Sequence, residues 1–359
     1  MTKAHGYEMV ARGEPLRARA WEVEPGPSGE VVLEVAGCGI CHTDLGFLDD
    51  GVRTRAPLPL VLGHEISGRV VDASPDVADL VGQFVVVPAV LPCGECDACK
   101  AGRNMICPKQ VMPGNDRDGG FASHVVLPAR GLCPVPGAVD FDSPMGSSGL
   151  TLRHLAVLAD AASTPYQALV RSEVGPGDVV VIVGLGGVGG YAAQLASALG
   201  AHTIGLDVSA EKLERATALG LELALDPSTA EPKALRKQIR AWCKERGFPT
   251  TRHKIFECSG TAPGQQTAWG LLNHGAILGV VGYTMARIEV RLSNLMAFDA
   301  TAIGTWGCDP ALYPDLVKLA LDGAIDLGSQ TELRKLDEVQ QALDDVRHHR
   351  TARRLVLVP

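Results

Sequence analysis

Four cysteines within one short stretch constrain this chain more than any other feature. Cys93, Cys96, Cys99 and Cys107 read C-x2-C-x2-C-x7-C inside PCGECDACKAGRNMICP. Thiolates at this spacing can wrap a tetrahedral Zn²⁺ at about 2.3 Å per bond, and four of them leave no open coordination position, so such a site is structural. Gly94 and Gly102 let the loop curl. The competing readings are two disulfides or four unrelated buried thiols. The tight spacing argues against both.

The remaining composition narrows the setting. With 33 basic and 41 acidic residues the formal net charge is −8, and no basic block stands out. An acidic chain of this kind is a poor nucleic-acid binder. The opening MTKAHGYEMVARGEP has no apolar run, so no signal peptide is expected. No stretch reaches the roughly 18 apolar residues that would span a bilayer. A cytoplasmic location follows as an expectation, and in a reducing compartment the ten cysteines point to metal ligation rather than disulfides. Cys38, Cys133, Cys243, Cys258 and Cys308 read as small buried apolar residues.

The 359 residues suggest two domains, and 46% hydrophobic content is ample for two cores. Up to about residue 155 the chain is made of short β-like runs broken by Gly and Pro: EVVLEVAGCGI (30–40), SGRVVDA (67–73), GQFVVVPAV (82–90) and FASHVVLPA (121–129). That texture predicts a small irregular β-barrel. From about 160 strand-like and helix-like runs alternate: VVVIVG, GYAAQLASALG, HTIGLD, SAEKLERATALG, IFECSG, TAPGQQTAWGLL, AILGVVG. This is the pattern of a doubly wound α/β sheet. From about 300 the chain reads PDLVKLALDG, LDEVQQALDDVRHH and a last strand RLVLVP.

Within the α/β half, Gly184, Gly186, Gly187, Val188 and Gly189 lie in GLGGVG, a G-x-G-x-x-G match. The match is strong here because it follows the apolar strand DVVVIV and opens a helix, and because a second strand, HTIGLD, ends in Asp207, 18 residues after Gly189. Gly184 allows the tight turn, Gly186 admits a pyrophosphate to the backbone, and Gly189 lets helix and strand pack closely. The helix N-terminus supplies N–H groups and positive dipole to the diphosphate. Asp207 would accept from both hydroxyls of an adenosine ribose and repel a 2′-phosphate. No arginine follows it at once, so NAD is expected over NADP.

Two further stretches carry a family resemblance that runs over essentially the whole chain. Gly39-Ile40-Cys41-His42-Thr43-Asp44 and Gly63-His64-Glu65-Ile66-Ser67-Gly68, together with the cysteine lobe, resemble the zinc-containing medium-chain alcohol dehydrogenases. The resemblance implies a GroES-like catalytic domain over 1–160 and 300–359, carrying the structural zinc lobe at 93–107, and a Rossmann NAD-binding domain over 161–299. It implies two zinc ions per chain, a small-molecule alcohol as substrate, and a homodimer or homotetramer. Cys41 and His64 would hold a catalytic zinc. The family's third ligand precedes a Thr-x-Tyr turn by four residues, which falls on Asp160 in Asp160-Ala161-Ala162-Ser163-Thr164-Pro165-Tyr166. Cysteine is often found there; the alternative for Asp160 is a plain helix cap. Cys⁻, neutral His and Asp⁻ would still cancel Zn²⁺, and the harder carboxylate would leave the metal more Lewis-acidic.

Three protein ligands leave a fourth position open for water or substrate. Glu65 either takes that position at rest or stays behind the ligands. By the same resemblance Thr43 passes on the substrate proton, Asp44 orients His64, and Thr164 and Val188 contact the nicotinamide. Lys212 reaches the ribose or is a solvated helix charge. Arg354 pairs with the pyrophosphate, unless the neighbouring Arg353 does so. The family often ends its proton relay on a histidine five residues after the first zinc cysteine; Gly46 stands there instead. A zinc-free reductase or a non-catalytic NAD-binding paralogue is the reading from another class, and the intact Cys41, His64 and Asp160 set argues against it.

For the substrate, 113–136 and 159–169 resemble the 6-hydroxycyclohex-1-ene-1-carbonyl-CoA dehydrogenases of anaerobic aromatic degradation. Gly46 and a positive cluster at Arg53, Arg55 and Arg117 would suit a bulky, phosphate-bearing thioester, although these arginines also read as ordinary surface charge. A simple secondary-alcohol or polyol dehydrogenase is the alternative.

Overall fold

The computed structural model describes residues 1–359 and divides into two compact units, Met1–Ser163 with Gly307–Pro359, and Thr164–Trp306. The first unit is built mostly on antiparallel pairing, with Thr331–Lys335 and Arg354–Val358 the parallel exception. A three-stranded sheet sets Thr2–Met9 between Arg17–Val23 and Leu60–Val61. A seven-stranded sheet runs Thr331–Lys335, Arg354–Val358, Glu30–Gly39, Glu65–Ala73, Phe84–Val87, Cys133–Pro134, with His124–Pro128 also pairing Glu30–Gly39. Val31, Leu33, Val35, Ile66, Val70, Val85 and Val87 alternate inward from these strands, and Leu343 and Val346 from the helix Val339–Arg347 cover the same core. Short Val-rich runs broken by Gly and Pro are the reason these segments are strands, and Glu30–Gly39 and Phe84–Val87 are buried almost throughout.

The second unit carries six parallel strands in the order Leu223–Leu225, His202–Leu206, Val179–Val183, Lys254–Glu257, Ile277–Val280, Thr301–Gly304. Numbered within the unit this is 3-2-1-4-5-6, the dinucleotide-binding order, with its switch point between Val179–Val183 and Lys254–Glu257. Val179–Val183 is buried along its whole length, as expected for a strand covered on both faces. The longest helix, Pro232–Arg246, buries Leu235, Ile239, Trp242 and Cys243 on one stripe and ends on Gly247 in the left-handed region. Thr261 caps the helix Ala262–Gly270 by accepting from the Gly264 N–H.

One expected boundary moves. The sequence reading returns the chain to the catalytic domain at 300, whereas Thr301–Gly304 pairs in parallel with Ile277–Val280 and completes the second unit's sheet. The return comes at Gly307. A four-residue, mostly exposed edge strand has no apolar alternation to announce it. The tail then rejoins the first unit through Val356↔Gly39 and Leu357↔Cys38. No helix is long and apolar enough to cross a membrane.

Candidate active site

Strand register assembles the first cluster. Gly39 pairs with Glu65, which sets Cys41, two residues past one strand, beside His64, one residue before the next. The Ile40 N–H donates to the Leu355 carbonyl at 2.9 Å, which brings Arg354 alongside. Asp160 arrives between the short turn His154–Ala159 and the helix Ser163–Arg171. The ligand atoms of Cys41, His64, Glu65 and Asp160 all lie within 4.8 Å of one another. Cys41 Sγ is 3.8 Å and His64 Nε2 3.6 Å from Asp160 Oδ2.

Asp44 ties two of these residues together. Its carboxylate accepts the Cys41 N–H at 2.9 Å and the Gly63 N–H at 3.3 Å, and lies 3.5 Å from His64 Nδ1. This is the carboxylate–histidine relation that orients a metal-ligating imidazole. His64 is buried, yet neither ring nitrogen has a hydrogen-bond partner. Burial opposes charge on that ring, but Asp44, Asp160 and Cys41 outweigh it and push its pKa well above the usual imidazole value. The pocket therefore demands positive charge next to Nε2. A thiol, an imidazole nitrogen without a hydrogen bond and a carboxylate form a donor set that a divalent zinc fits.

Glu65 is wholly buried and paired with Arg354, whose Nε donates at 3.1 Å while Nη2 closes on the other oxygen. Burial pushes the Glu65 pKa up, and Arg354 offsets part of that. The sequence reading does not foresee this ion pair; its only trace there is the pairing of the last strand with the first domain. Thr43 Oγ1 stands 3.6 Å from Cys41 Sγ. Gly46 is buried in the helix His42–Leu48, and an added Cβ would meet only Val52, at 3.4 Å. His42 is exposed and stacks on His349.

The cysteine lobe forms a second closed cluster. Sγ–Sγ separations are 3.4 Å for Cys96–Cys99, 3.7 Å for Cys96–Cys107 and 3.5 Å for Cys93–Cys107. A tetrahedron with bonds of about 2.3 Å has edges of about 3.8 Å, whereas a disulfide is about 2.05 Å long. The spacing thus fits four ligands around one ion. The Glu95 N–H, followed by that of Cys96, points at Cys93 and holds its pKa down to about 6, while burial pushes Cys99 up to about 12. Of the five cysteines read as buried apolar residues, Cys258 is only half-buried.

In the second unit the glycine-rich loop takes its expected form. Gly184 has φ +90°, and a Cβ there would lie 2.6 Å from Ser259 Cα. A Cβ on Gly189 would collide with the Gly184 carbonyl, whereas one on Gly186 would meet open space. No side chain caps the helix Gly187–Ala198 that starts there and contains Val188. An uncapped helix N-terminus behind an open glycine suits a diphosphate. Asp207 is buried and already accepts the Leu185 N–H at 2.7 Å and the Ser209 N–H at 2.9 Å. A carboxylate has about four acceptor sites, so ribose hydroxyls could still be accommodated. Asp207 also fixes the loop, a task the sequence reading omits. Lys212 lies in the first turn of Ala210–Ala218, and Thr164 in that of Ser163–Arg171.

The proposed cationic cluster does not form as expected. Arg55 is paired with Asp116 at 3.2 Å and Arg117 with Glu30 at 2.7 Å, so two of the three charges have carboxylate partners.

Comparison with known proteins accords with both clusters. The alcohol dehydrogenase GroES-like domain matches residues 27–137, and the zinc-binding dehydrogenase domain matches 187–322. An L-threonine 3-dehydrogenase of Streptomyces avermitilis is 32% identical over 314 residues, covering 85% of this chain and 84% of that protein. An alcohol dehydrogenase of Geobacillus stearothermophilus is 28% identical over 320 residues, covering 88% of each. The crystal structure of an alcohol dehydrogenase from Thermotoga maritima superposes over 100% of both chains with a TM-score of 0.86 at 26% identity.

Proposed function

Because the chain belongs to the zinc-containing medium-chain alcohol dehydrogenase family, we propose that it oxidises a secondary alcohol to a ketone, using NAD and two zinc ions per chain. The observation that carries this reading is the meeting of Cys41, His64 and Asp160 from three separate elements around a buried imidazole nitrogen without a hydrogen bond. When bound, zinc supplies a Lewis acid that lowers the pKa of a substrate hydroxyl, and NAD supplies the hydride acceptor.

The chain's own residues do the rest. Cys41, His64 and Asp160 hold the metal, and Asp44 keeps Nε2 of His64 aimed at it. Glu65, paired with Arg354, has an oxygen within 4.8 Å of the other three ligand atoms, so it either takes the fourth position at rest or stays behind the ligands. Thr43 takes the substrate proton and passes it on; with Gly46 in place of a histidine, the relay ends on another group or on water. Gly184, Gly186, Gly187 and Gly189 receive the dinucleotide diphosphate, Asp207 selects NAD, Lys212 assists at the ribose, and Thr164 and Val188 contact the nicotinamide. The pairing of Arg354 with the pyrophosphate rests on the family resemblance alone. The exposed Tyr283, Met285, Leu292 and Met296 precede the edge strand Thr301–Gly304, and a second copy pairing along that edge would give a symmetric dimer. A cytoplasmic location accords with ten free cysteines.

The finer reading makes the substrate 6-hydroxycyclohex-1-ene-1-carbonyl-CoA, oxidised reversibly to the 6-oxo enone in anaerobic aromatic degradation. It rests on the resemblance in 113–136 and 159–169. With Arg55 and Arg117 neutralised, the charge argument for a phosphate-bearing thioester loses force. A simple secondary alcohol or polyol is supported equally well, since the relatives' names are those of alcohol and threonine dehydrogenases. The test is a metal count followed by an NADH-production screen of CoA-thioester alcohols against free alcohols. Two zinc ions with turnover of either class supports the family reaction. Turnover of free alcohols alone removes the thioester reading, and no NADH from any alcohol removes the reaction.

A further inference from the structure

The three candidate ligands are not held alike. Asp44 secures Cys41 and the segment of His64 by accepting two backbone N–H groups. Asp160 lies where regular structure lapses, at φ −142° and ψ −56°, between a 3-10 turn and a helix. The backbone on either side of it converges on a buried polar knot. The Ala159 carbonyl accepts the Ala89 N–H at 3.1 Å, the Ser163 hydroxyl at 3.1 Å and the Tyr313 hydroxyl. Ser163 Oγ also lies 3.4 Å from the Asp160 carbonyl and 3.0 Å from Tyr313 Oη. Ala159, Ser163 and Tyr313 are all completely buried.

We propose that Tyr313, acting with Ser163, is a positioning residue that fixes the Asp160 carboxylate for the metal. The inference rests on the metal reading above. Tyr313 suits the task because it begins the helix Tyr313–Leu321, a rigid element anchored elsewhere. Just before that helix, Asp309 caps the turn Pro310–Leu312 through the Ala311 N–H at 3.0 Å and accepts Asn104 Nδ2 at 3.1 Å. Asn104 stands between Cys99 and Cys107, so the helix that steadies Asp160 is itself moored to the cysteine lobe. A hydroxyl on a moored helix thus ties the backbone carbonyl that precedes Asp160 to a rigid element.

The Tyr313→Phe variant tests this cleanly. It removes one hydroxyl without stranding a buried partner, because Ser163 keeps its bond to Ala159 and Ala159 keeps the Ala89 N–H. Wild type and variant are prepared with zinc in both sites, and metal release to a chromophoric chelator is followed. Asp160→Ala identifies which release phase belongs to the catalytic site. Cobalt is then placed in that site and its electronic absorption recorded. The expected result is release of the catalytic-site zinc about tenfold faster, the lower end of what outer hydrogen-bond partners contribute, with shifted cobalt bands and lobe zinc leaving at the wild-type rate. Unchanged release with superimposable cobalt spectra overturns the proposal. So does equal acceleration at both sites, which would mark a general loss of stability. Should Tyr313→Phe fold poorly, Ser163→Ala carries the same expectation. A wild-type protein with no metal outside the lobe overturns the metal reading, and this inference with it; two metals in wild type with no response in the variants overturns this inference alone.

Discussion

Arg354→Leu should strongly destabilise the first unit. Glu65 is fully buried, the Arg354 side chain is 8% exposed, and two charge-assisted bonds join them. Removing the guanidinium leaves a carboxylate in a dry pocket beside Asp160, whose charge repels it. Breaking one side of such a pair costs about 3–5 kcal/mol. At about 2–4 °C per kcal/mol for a domain of 150–250 residues, Tm should fall by roughly 6–20 °C. The Arg354→Leu/Glu65→Leu double variant should recover most of this, because an apolar replacement of the whole pair is near neutral. Urea unfolding of wild type, both single variants and the double variant, all at one fixed free zinc concentration, closes the cycle. The pH response carries a further signature. A Glu65 carboxyl with a folded pKa raised by burial is most stable protonated, below its unfolded pKa near 4.3, and loses that stability as pH rises through the folded value. The Arg354→Leu variant should therefore regain ground on wild type as pH falls. If Arg354→Leu stays within about 1 kcal/mol of wild type, or the double variant is no better than the single, the ion pair does not support the site as described.

Three other outcomes are expected. Cys96→Ser should lower folded yield and reduce the metal count from two to one, since metal binding in a closed cysteine site is folding energy, while Asp160→Ala should lose the other metal, keep its Tm within a few degrees and turn over at least tenfold more slowly; atomic absorption with thermal melts checks both, and a folded, metal-replete Cys96→Ser protein would mean the lobe is misassigned. Asp207→Asn should raise relative use of NADP about tenfold or more by removing one repelling charge, read as the ratio of kcat/KM values, and a wild type that already prefers NADP defeats the reasoning. His124, His154 and His253 have pKa values lowered chiefly by burial, so stability present above the unfolded value near 6.5 should fall as pH drops through and below it; His253→Gln, which can still donate to the Pro249 carbonyl, should flatten part of that slope in Tm measured from pH 7.5 to 5.5, and an unchanged slope counts against it.

What could be read in the sequence depended on how local each feature is. The cysteine lobe draws all four ligands from 93–107, and the glycine loop draws its turn, open position and helix start from GLGGVG. Spacing alone specifies such features. Cys41, His64 and Asp160 are far apart in the chain and become a set only through strand register and the arrival of the turn His154–Ala159, so family motifs were needed to see them. The pairing of Arg354 with Glu65 and the bonds of Tyr313 to Ala159 and Ser163 span 289, 154 and 150 positions of chain. Neither has a local pattern. The carboxylate partners of Arg55 and Arg117 escaped for the same reason, since they can be assigned only in three dimensions. The edge strand Thr301–Gly304 escaped because its residues are mostly exposed.

The contrast between the two clusters also bears on what each can do. A closed tetrad made by one short loop can be assembled wherever that loop curls, and it offers no place to a substrate. The catalytic cluster stands where elements end: Cys41 before a helix, His64 before a strand, Asp160 between a turn and a helix. Element ends lack the restraint that regular hydrogen bonding gives, and the surrounding charges answer that lack. Asp44 holds one side through backbone N–H groups, and Arg354 cancels Glu65. What remains is a thiol and the Asp160 carboxylate around an imidazole whose nitrogens have no hydrogen bonds. With the thiol deprotonated on binding metal, a thiolate, a carboxylate and a neutral imidazole together cancel the charge of a divalent cation. The raised pKa of His64 expresses the same demand, since a proton there would meet half of it.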